Sequence, residues 1–203
     1  MDKTQFLSSL KNQGFSSQIL RAFEKVPREN FVPEKLESFA YEDTALPIGN
    51  EQTISQPYTI ATMLSLIKLK KGQKVLEVGS GCGYVLALLS EIVGNAGKVF
   101  GIEIIKELAE KSKKNLMNYK NIKIYNKNGS DGLKEKAPFD RILISAACRE
   151  IPKKLLFQLK NNGILVAPVG LHEQSLVAVK RIKNKFITQK EISGFVFVKF
   201  VED

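Results

Sequence analysis

Tryptophan is absent from this 203-residue chain, histidine occurs once and cysteine only twice. The lone His172, in the loop GLHEQS, reads as a surface residue and cannot build a metal site by itself. Cys82 and Cys148 lie outside any CxxC or CxxH spacing, so neither zinc nor another metal is expected. The leading residues MDKTQFLSSLKNQG contain no apolar signal-peptide core, which points to the cytoplasm and against a disulfide. No apolar run approaches the roughly 18 residues of a membrane span, so no membrane partner is expected. Long Gly/Ser/Pro linkers, low-complexity tracts and internal repeats are also missing. What remains is one domain, 1–203, large enough to bury a core.

The composition is 43% hydrophobic and 26% charged, that of a soluble globular protein. Lysine and arginine outnumber acids 31 to 21, for a net charge of +10. The lysines are spread through KELAEKSKKNLMNYKNIKIYNKN and KRIKNKFITQK and do not form one basic arm. Dispersed charge of this kind reads as solvated surface and argues against a dedicated nucleic-acid face.

Residues 1–70 predict helices and a loop. In SSQILRAFEKVP, Ser16 or Ser17 can cap a helix whose Ile19, Leu20, Phe23 and Val26 share one face, with Pro27 ending it. Residues 40–58 show no sustained period and read as an irregular loop, followed by a helix over TIATMLSLIKL. From residue 71 onward the pattern changes. QKVLEV, KVFGIEI, IKIYN, DRILISAA and GILVAPV read as strands; YVLALLSEIV, KELAEKSKKNLMNY and EIPKKLLFQLK read as helices between them. Short apolar strands alternating with amphipathic helices predict a mostly parallel sheet covered on both faces. SLVAVKRIKN and GFVFVKFVED have no helix-length pattern between them, so the sheet is expected to end in antiparallel pairing.

VLEVGSGCGYV is the segment with most chemical content. Gly79, Gly81 and Gly83 form G-x-G-x-G, which differs from the G-x-G-x-x-G of dinucleotide binders, and no phosphate-clamping G-K-[ST] follows. Glu103 comes twenty residues after Gly83, at the end of the next strand, where a carboxylate accepts hydrogen bonds from ribose hydroxyls. A glycine turn with a ribose-binding acid and no phosphate clamp suits a nucleoside without phosphates, and S-adenosylmethionine fits that description. Glu77, Gly79, Ser80, Gly81, Gly83 and Glu103 are therefore candidate donor-binding residues. Asp131 and Gly132, in NGSDGL after the third strand, fall at the expected ligand crevice. There Asp131 could accept from an adenine amino group, or the pair could be simply a turn.

The acceptor is less legible. ISAACREIP after the fourth strand lacks the Asn/Asp, paired prolines and aromatic of enzymes that methylate exocyclic amines of bases. Nothing near Cys148 suggests a stabilised thiolate. Thr53 and Ser55 lie in the polar stretch ALPIGNEQTISQPYTIATM; Ser55 could cap the helix ahead of Pro57, or the two hydroxyls could face the transferred methyl group.

The run AFEKVPRENFVP … AYEDTALPIGNEQTISQPYTIATM … KVLEVGSGCGY … DG … APFDRILISAACREIP … QLKNNGILVAPVG strongly resembles protein-L-isoaspartate (D-aspartate) O-methyltransferases over nearly the whole chain. PIGNEQTISQPY is its specific part. The resemblance implies an α/β, Rossmann-like class I methyltransferase fold: a mostly parallel doubly wound sheet with an antiparallel C-terminal end and N-terminal helices. It implies S-adenosyl-L-methionine as donor and S-adenosyl-L-homocysteine as product, with isoaspartyl peptides and proteins as partners. It makes Ser55 the active-site residue, with Thr53 and Ile54 beside it at the methyl donor. It matches Glu77, Gly79, Glu103, Asp131 and Gly132 to donor-binding positions. Two departures stand out: only LKEK separates the Asp-Gly and Ala-Pro pairs, where the family has a longer insert, and the last strand lacks the usual Val-Pro-Leu ending. A monomer is expected. A tRNA-methylating enzyme and a non-catalytic S-adenosylmethionine-binding module are the alternatives, and both leave PIGNEQTISQPY unexplained.

Overall fold

The computed structural model describes residues 1–201. Helices α1 (Lys3–Asn12) and α2 (Ser17–Lys25) open the chain. Asp2 and Gln5 cap α1 reciprocally, and Ser16 caps α2 by accepting from the Ile19 amide. Phe6, Leu10, Ile19, Ala22 and Phe23 of this pair are buried. Two short 3-10 turns, Arg28–Phe31 and Glu34–Phe39, lead into the stretch expected to be irregular.

That stretch is more ordered than its sequence suggests. Strands β1 (Leu46–Gly49) and β2 (Gln52–Ile54) form a small antiparallel hairpin, separate from the main sheet. Asn50 and Glu51 turn it with positive φ, 53° and 58°. Two such residues in succession match the twist that hairpin turns require. Three- and four-residue strands are too short to give an alternation, so periodicity could not reveal them. Helix α3 (Pro57–Ile67) follows, with proline in its first turn.

The central sheet contains β3 (Lys74–Val78), β4 (Lys98–Glu103), β5 (Ile122–Asn126), β6 (Phe139–Ile144), β7 (Leu159–Val169), β8 (Gln174–Ile182) and β9 (Lys185–Phe195). Their spatial order is β5-β4-β3-β6-β7-β8-β9; the first five run parallel and the last two join antiparallel. Helices α4 (Tyr84–Val93), α5 (Lys106–Asn115) and α6 (Lys153–Leu156) connect the parallel strands. Successive strand residues serve opposite faces: Val75, Val99 and Leu143 join one hydrophobic core, while Leu76, Phe100 and Ile142 join the other. The expected mostly parallel, doubly covered sheet is thus what forms. After β3 the chain builds outward through β4 and β5, then crosses back to β6 on the other side of β3. That reversal opens a crevice at the carboxyl ends of β3, β4 and β6.

Two expected elements need correction. The helix over residues 150–160 is a single turn, because it starts only after Pro152 and the chain is already β7 by Leu159. The last strand is Lys185–Phe195, reached by a tight turn at Lys183 and Asn184, rather than 194–203. Most of β9 is exposed on both faces, so its sequence shows no apolar alternation. Residues 196–201 pass back over the sheet instead: the Ala147 amide donates to the Val198 carbonyl and the Phe200 amide to the Ala147 carbonyl, each at 2.8 Å. Residues 202 and 203 of the expected strand lie outside the described residues. No helix among the described residues is long and apolar enough to cross a membrane.

Candidate active site

The glycine turn is folded over the crevice by its own amides. Gly79 and Ser80 both donate to the Ile102 carbonyl, at 2.9 and 3.0 Å. The Gly81 amide donates to Glu103 Oε2 at 2.7 Å, and Glu103 Oε1 accepts from the Ile105 amide at 2.9 Å. Glu103 is thereby locked at the end of β4, with lone pairs on both oxygens remaining for hydroxyl groups. Gly81, at φ 52°, lies where a Cβ would approach Ile48 Cδ1 to 3.2 Å, so the turn and the β1–β2 hairpin are in close contact.

Gly83 has a different task. At φ 88°, a Cβ there would stand 2.4 Å from Ser112 Oγ and 2.7 Å from Leu116 Cδ1. Its lack of a side chain lets the start of α4 pack against the end of α5, and it lines none of the cavities described below.

Three cavities with shared lining residues occupy the crevice. The main one, about 150 Å³, is bordered by Gly79, Gly81, Glu103, Asn128, Gly129 and the tail at 198–201. A second, about 40 Å³, is bordered by Ile54, Ser55, Glu77 and Ser80 among others. A third of similar size is enclosed by Ala45, Thr53, Ser55, Gln56, Thr59, Ser145 and residues 196–198. Thr53 and Ser145 border all three.

Glu77 is buried below this junction. Ser145 Oγ donates to its Oε1 at 2.8 Å, while Oε2 has no partner among the described residues. Burial pushes the carboxyl up to about 8; the nearby Glu103 charge adds to this and the Ser145 hydrogen bond opposes it. A buried carboxyl oxygen left without a partner beside a cavity suits a cationic ligand group such as an ammonium. Ser80 Oγ is likewise buried and has no partner among the described residues. The glycine turn, Glu103 and Glu77 together fit a nucleoside carrying a charged amino-acid arm.

The Ser55 hydroxyl is not consumed as a helix cap. Gln56 occupies the cap position of α3 without a side-chain bond, and Asp43 Oδ1 takes the Tyr58 amide at 2.8 Å. Asp131 and Gly132 stand apart from the three cavities. Asp131 is half-exposed and accepts from Lys154 Nζ at 2.6 Å, and Gly132 packs against the Gln158 side chain. Cys148 is buried, its thiol directed to the Pro168 carbonyl at 3.4 Å. Burial raises the Cys82 thiol to about 11, so it stays protonated. His172 is exposed, and no cluster of metal-ligating side chains occurs among the described residues.

Four features escaped the sequence: Ser145, Asn128, the tail and Arg28. Ser145 directly follows β6, so the rule that ligands sit beyond strand carboxyl ends could have found it. Asn128 falls in the expected loop, three residues before Asp131. The tail read as the last strand of the sheet. Arg28 is fully buried, and its guanidinium donates to carbonyls on both sides of the β1–β2 hairpin. A lone arginine among VP and FVP was its only sign.

Known proteins of similar sequence and fold identify the family. The sequence model of the protein-L-isoaspartate(D-aspartate) O-methyltransferase family matches residues 1–203. The protein-L-isoaspartate O-methyltransferase of Methanococcoides burtonii is 43% identical over 197 residues, spanning 96% of this chain and 97% of the relative. A solved protein-L-isoaspartate O-methyltransferase superposes with a TM-score of 0.89 at 29% identity, over 98% of this chain and 65% of its own. A Plasmodium falciparum protein described by the same activity, solved with S-adenosyl-L-homocysteine, gives a TM-score of 0.88 at 27% identity over the full length of both chains. The chain belongs to the protein-L-isoaspartate(D-aspartate) O-methyltransferase family.

Proposed function

We propose that this chain methylates the free carboxylate of L-isoaspartyl, and D-aspartyl, residues in damaged proteins, using S-adenosyl-L-methionine and releasing S-adenosyl-L-homocysteine. The ester then closes to a succinimide without enzyme, because methoxide leaves more readily than hydroxide, and hydrolysis returns part of the material as aspartate. One observation carries the acceptor side. The cavity framed by Thr53, Ser55, Thr59 and Ser145 contains hydroxyls and no ionisable side chain among its described lining residues. An alcohol or amine acceptor would need a base there, whereas a carboxylate, with a pKa near roughly 4, arrives already ionised.

The donor supplies a methyl group on a positively charged sulfur, which departs as a neutral thioether. Glu103 would hold the ribose hydroxyls, Gly79, Ser80 and Gly81 would let the backbone approach, and Glu77 Oε2 would face the amino-acid arm. Asp131 and Gly132, which line none of the three cavities, would border the adenine end. Thr53 and Ile54 would wall off the transferred group. Ser55 would donate a hydrogen bond that orients the acceptor oxygen, without acting as nucleophile. Alignment and exclusion of water then account for catalysis, and orientation alone can contribute effective molarities on the order of 10⁵ M or more. In this proposal residues 1–70 supply the acceptor loop and 71–203 the donor-binding core of a single domain. The protein works as a monomer in the cytoplasm, with no nucleic-acid partner.

The test is transfer of labelled methyl to an isoaspartyl peptide, its aspartyl twin and tRNA. The proposal expects label only in the first. Label confined to tRNA, or donor binding with no transfer to any acceptor, would overturn it.

A further inference from the structure

The segment bearing Ser55 has no ladder bond to the main sheet. Its hairpin is a separate two-stranded unit, so the sheet does not set the distance between Ser55 and the glycine turn. A side chain from the N-terminal region ties it down. Arg28 Nη1 donates to the Ala40 carbonyl at 2.6 Å; Nη2 donates to the Thr44 and Ser55 carbonyls at 3.1 Å and to that of Ile54 at 3.5 Å. The first two carbonyls precede the hairpin, that of Ile54 belongs to the last residue of β2 and that of Ser55 follows it, so one guanidinium closes the base of the loop.

The hydrogen bonds from this buried cation all go to carbonyls. The neighbouring acids are engaged elsewhere: Glu29 accepts from the Tyr41 hydroxyl and Asp43 from the Tyr58 amide. Burial pushes the Arg28 guanidinium down from its ordinary value, yet arginine starts so high that it stays charged. Holding the N-terminal layer together would not need such a group, since apolar residues of similar volume pack a core at lower cost. What the planar fork provides is simultaneous purchase on several carbonyls in a fixed arrangement, which a lysine cannot reproduce.

We propose that Arg28 is a positioning residue for methyl transfer: through the Ile54 and Ser55 carbonyls it holds the Ser55 hydroxyl over the acceptor cavity. The proposal rests on the acceptor role given to Ser55 above. Arg28 borders none of the three cavities, so donor binding should be nearly indifferent to it.

The experiment compares Arg28→Lys, Arg28→Ala, Ser55→Ala and the Arg28→Lys/Ser55→Ala double variant of the full chain. It measures kcat on an isoaspartyl peptide, adenosylhomocysteine affinity, and amide hydrogen exchange across residues 40–56. Arg28→Lys is expected to lower kcat by about tenfold or more while changing adenosylhomocysteine affinity by less than about threefold. If Arg28 acts through Ser55, the double variant should be no slower than Ser55→Ala alone. Guanidinium chloride at non-denaturing concentration should restore part of the kcat of Arg28→Ala and leave wild type unchanged; if Arg28→Ala does not fold, Arg28→Lys decides. Wild-type kcat in Arg28→Lys, affinity falling in step with kcat, or full additivity in the double variant would each overturn the proposal. A wild-type rate in Ser55→Ala would instead remove the Ser55 role. If wild type methylates no isoaspartyl peptide, exchange still judges the clamp: acceleration in Arg28→Lys confined to 40–56 supports it, and unchanged exchange refutes it.

Discussion

Replacing Glu77 by glutamine should change how stability depends on pH more than it changes stability at any one acidic pH. Glu77 is 1% exposed, and among the described residues its carboxyl accepts one hydrogen bond, from Ser145, and leaves Oε2 without a partner. Its pKa rises from an ordinary 4.5 to about 8, chiefly through burial. A folded-state value above the unfolded one means that the bound proton stabilises the native state. That contribution is complete below pH 4.5, declines as pH rises, and is gone above about 8. At 1.36 kcal/mol per pH unit, ionisation across this window costs the native state up to about 5 kcal/mol. Glu77→Gln preserves shape and removes the titration. Urea unfolding of both proteins at intervals from pH 5 to 9 should therefore show wild-type stability falling relative to the variant by up to about 1.4 kcal/mol per unit up to pH 8, then levelling. Subtracting the variant cancels the common titration of groups that do not interact with Glu77. Parallel stability curves would refute the assignment of a protonated, ligand-free Glu77. With adenosylhomocysteine, whose ammonium favours the ionised carboxylate, wild type should release a proton at pH 7. The binding enthalpy should then vary with the buffer's ionisation enthalpy, and this variation should shrink in Glu77→Gln.

Ser55→Ala should reduce kcat by about 10- to 150-fold, the worth of a hydrogen bond to a charged group, with adenosylhomocysteine affinity nearly unchanged by calorimetry. Glu103→Ala should weaken adenosylhomocysteine binding, since it removes the proposed ribose acceptor and frees the Gly81 amide; equal affinity would remove Glu103 from the donor site. Gly83→Ala should destabilise by about 2 kcal/mol or more, or roughly 4–8 °C in Tm, from a left-handed backbone and the contacts with Ser112 and Leu116. Its donor affinity measured below the transition should match wild type; a loss would mean that Gly83 faces the ligand after all.

Much of this protein is legible in local sequence. Strand and helix differ in apolar period over a few residues, so α4 and β5 could be placed within the chain from their own side chains. The glycine turn and Glu103 were legible because each is fixed by its place at a strand end, and parallel pairing then sets those ends side by side. PIGNEQTISQPY identified the family but not its geometry, since a hairpin of three- and four-residue strands has no period to detect. Tertiary structure alone decided the rest, for one reason: those contacts join residues far apart in sequence that carry no mutual signal. Ser145 reaches Glu77 across 68 positions, Arg28 reaches Ser55 across 27, and the tail closes over the crevice through Ala147. It is likewise tertiary packing that assigns Gly83 to the α4–α5 contact while Gly79 and Gly81 face the cavity, although the three glycines look equivalent in sequence. Composition and period specify which surfaces must be buried; which polar atoms then meet depends on how those buried surfaces stack.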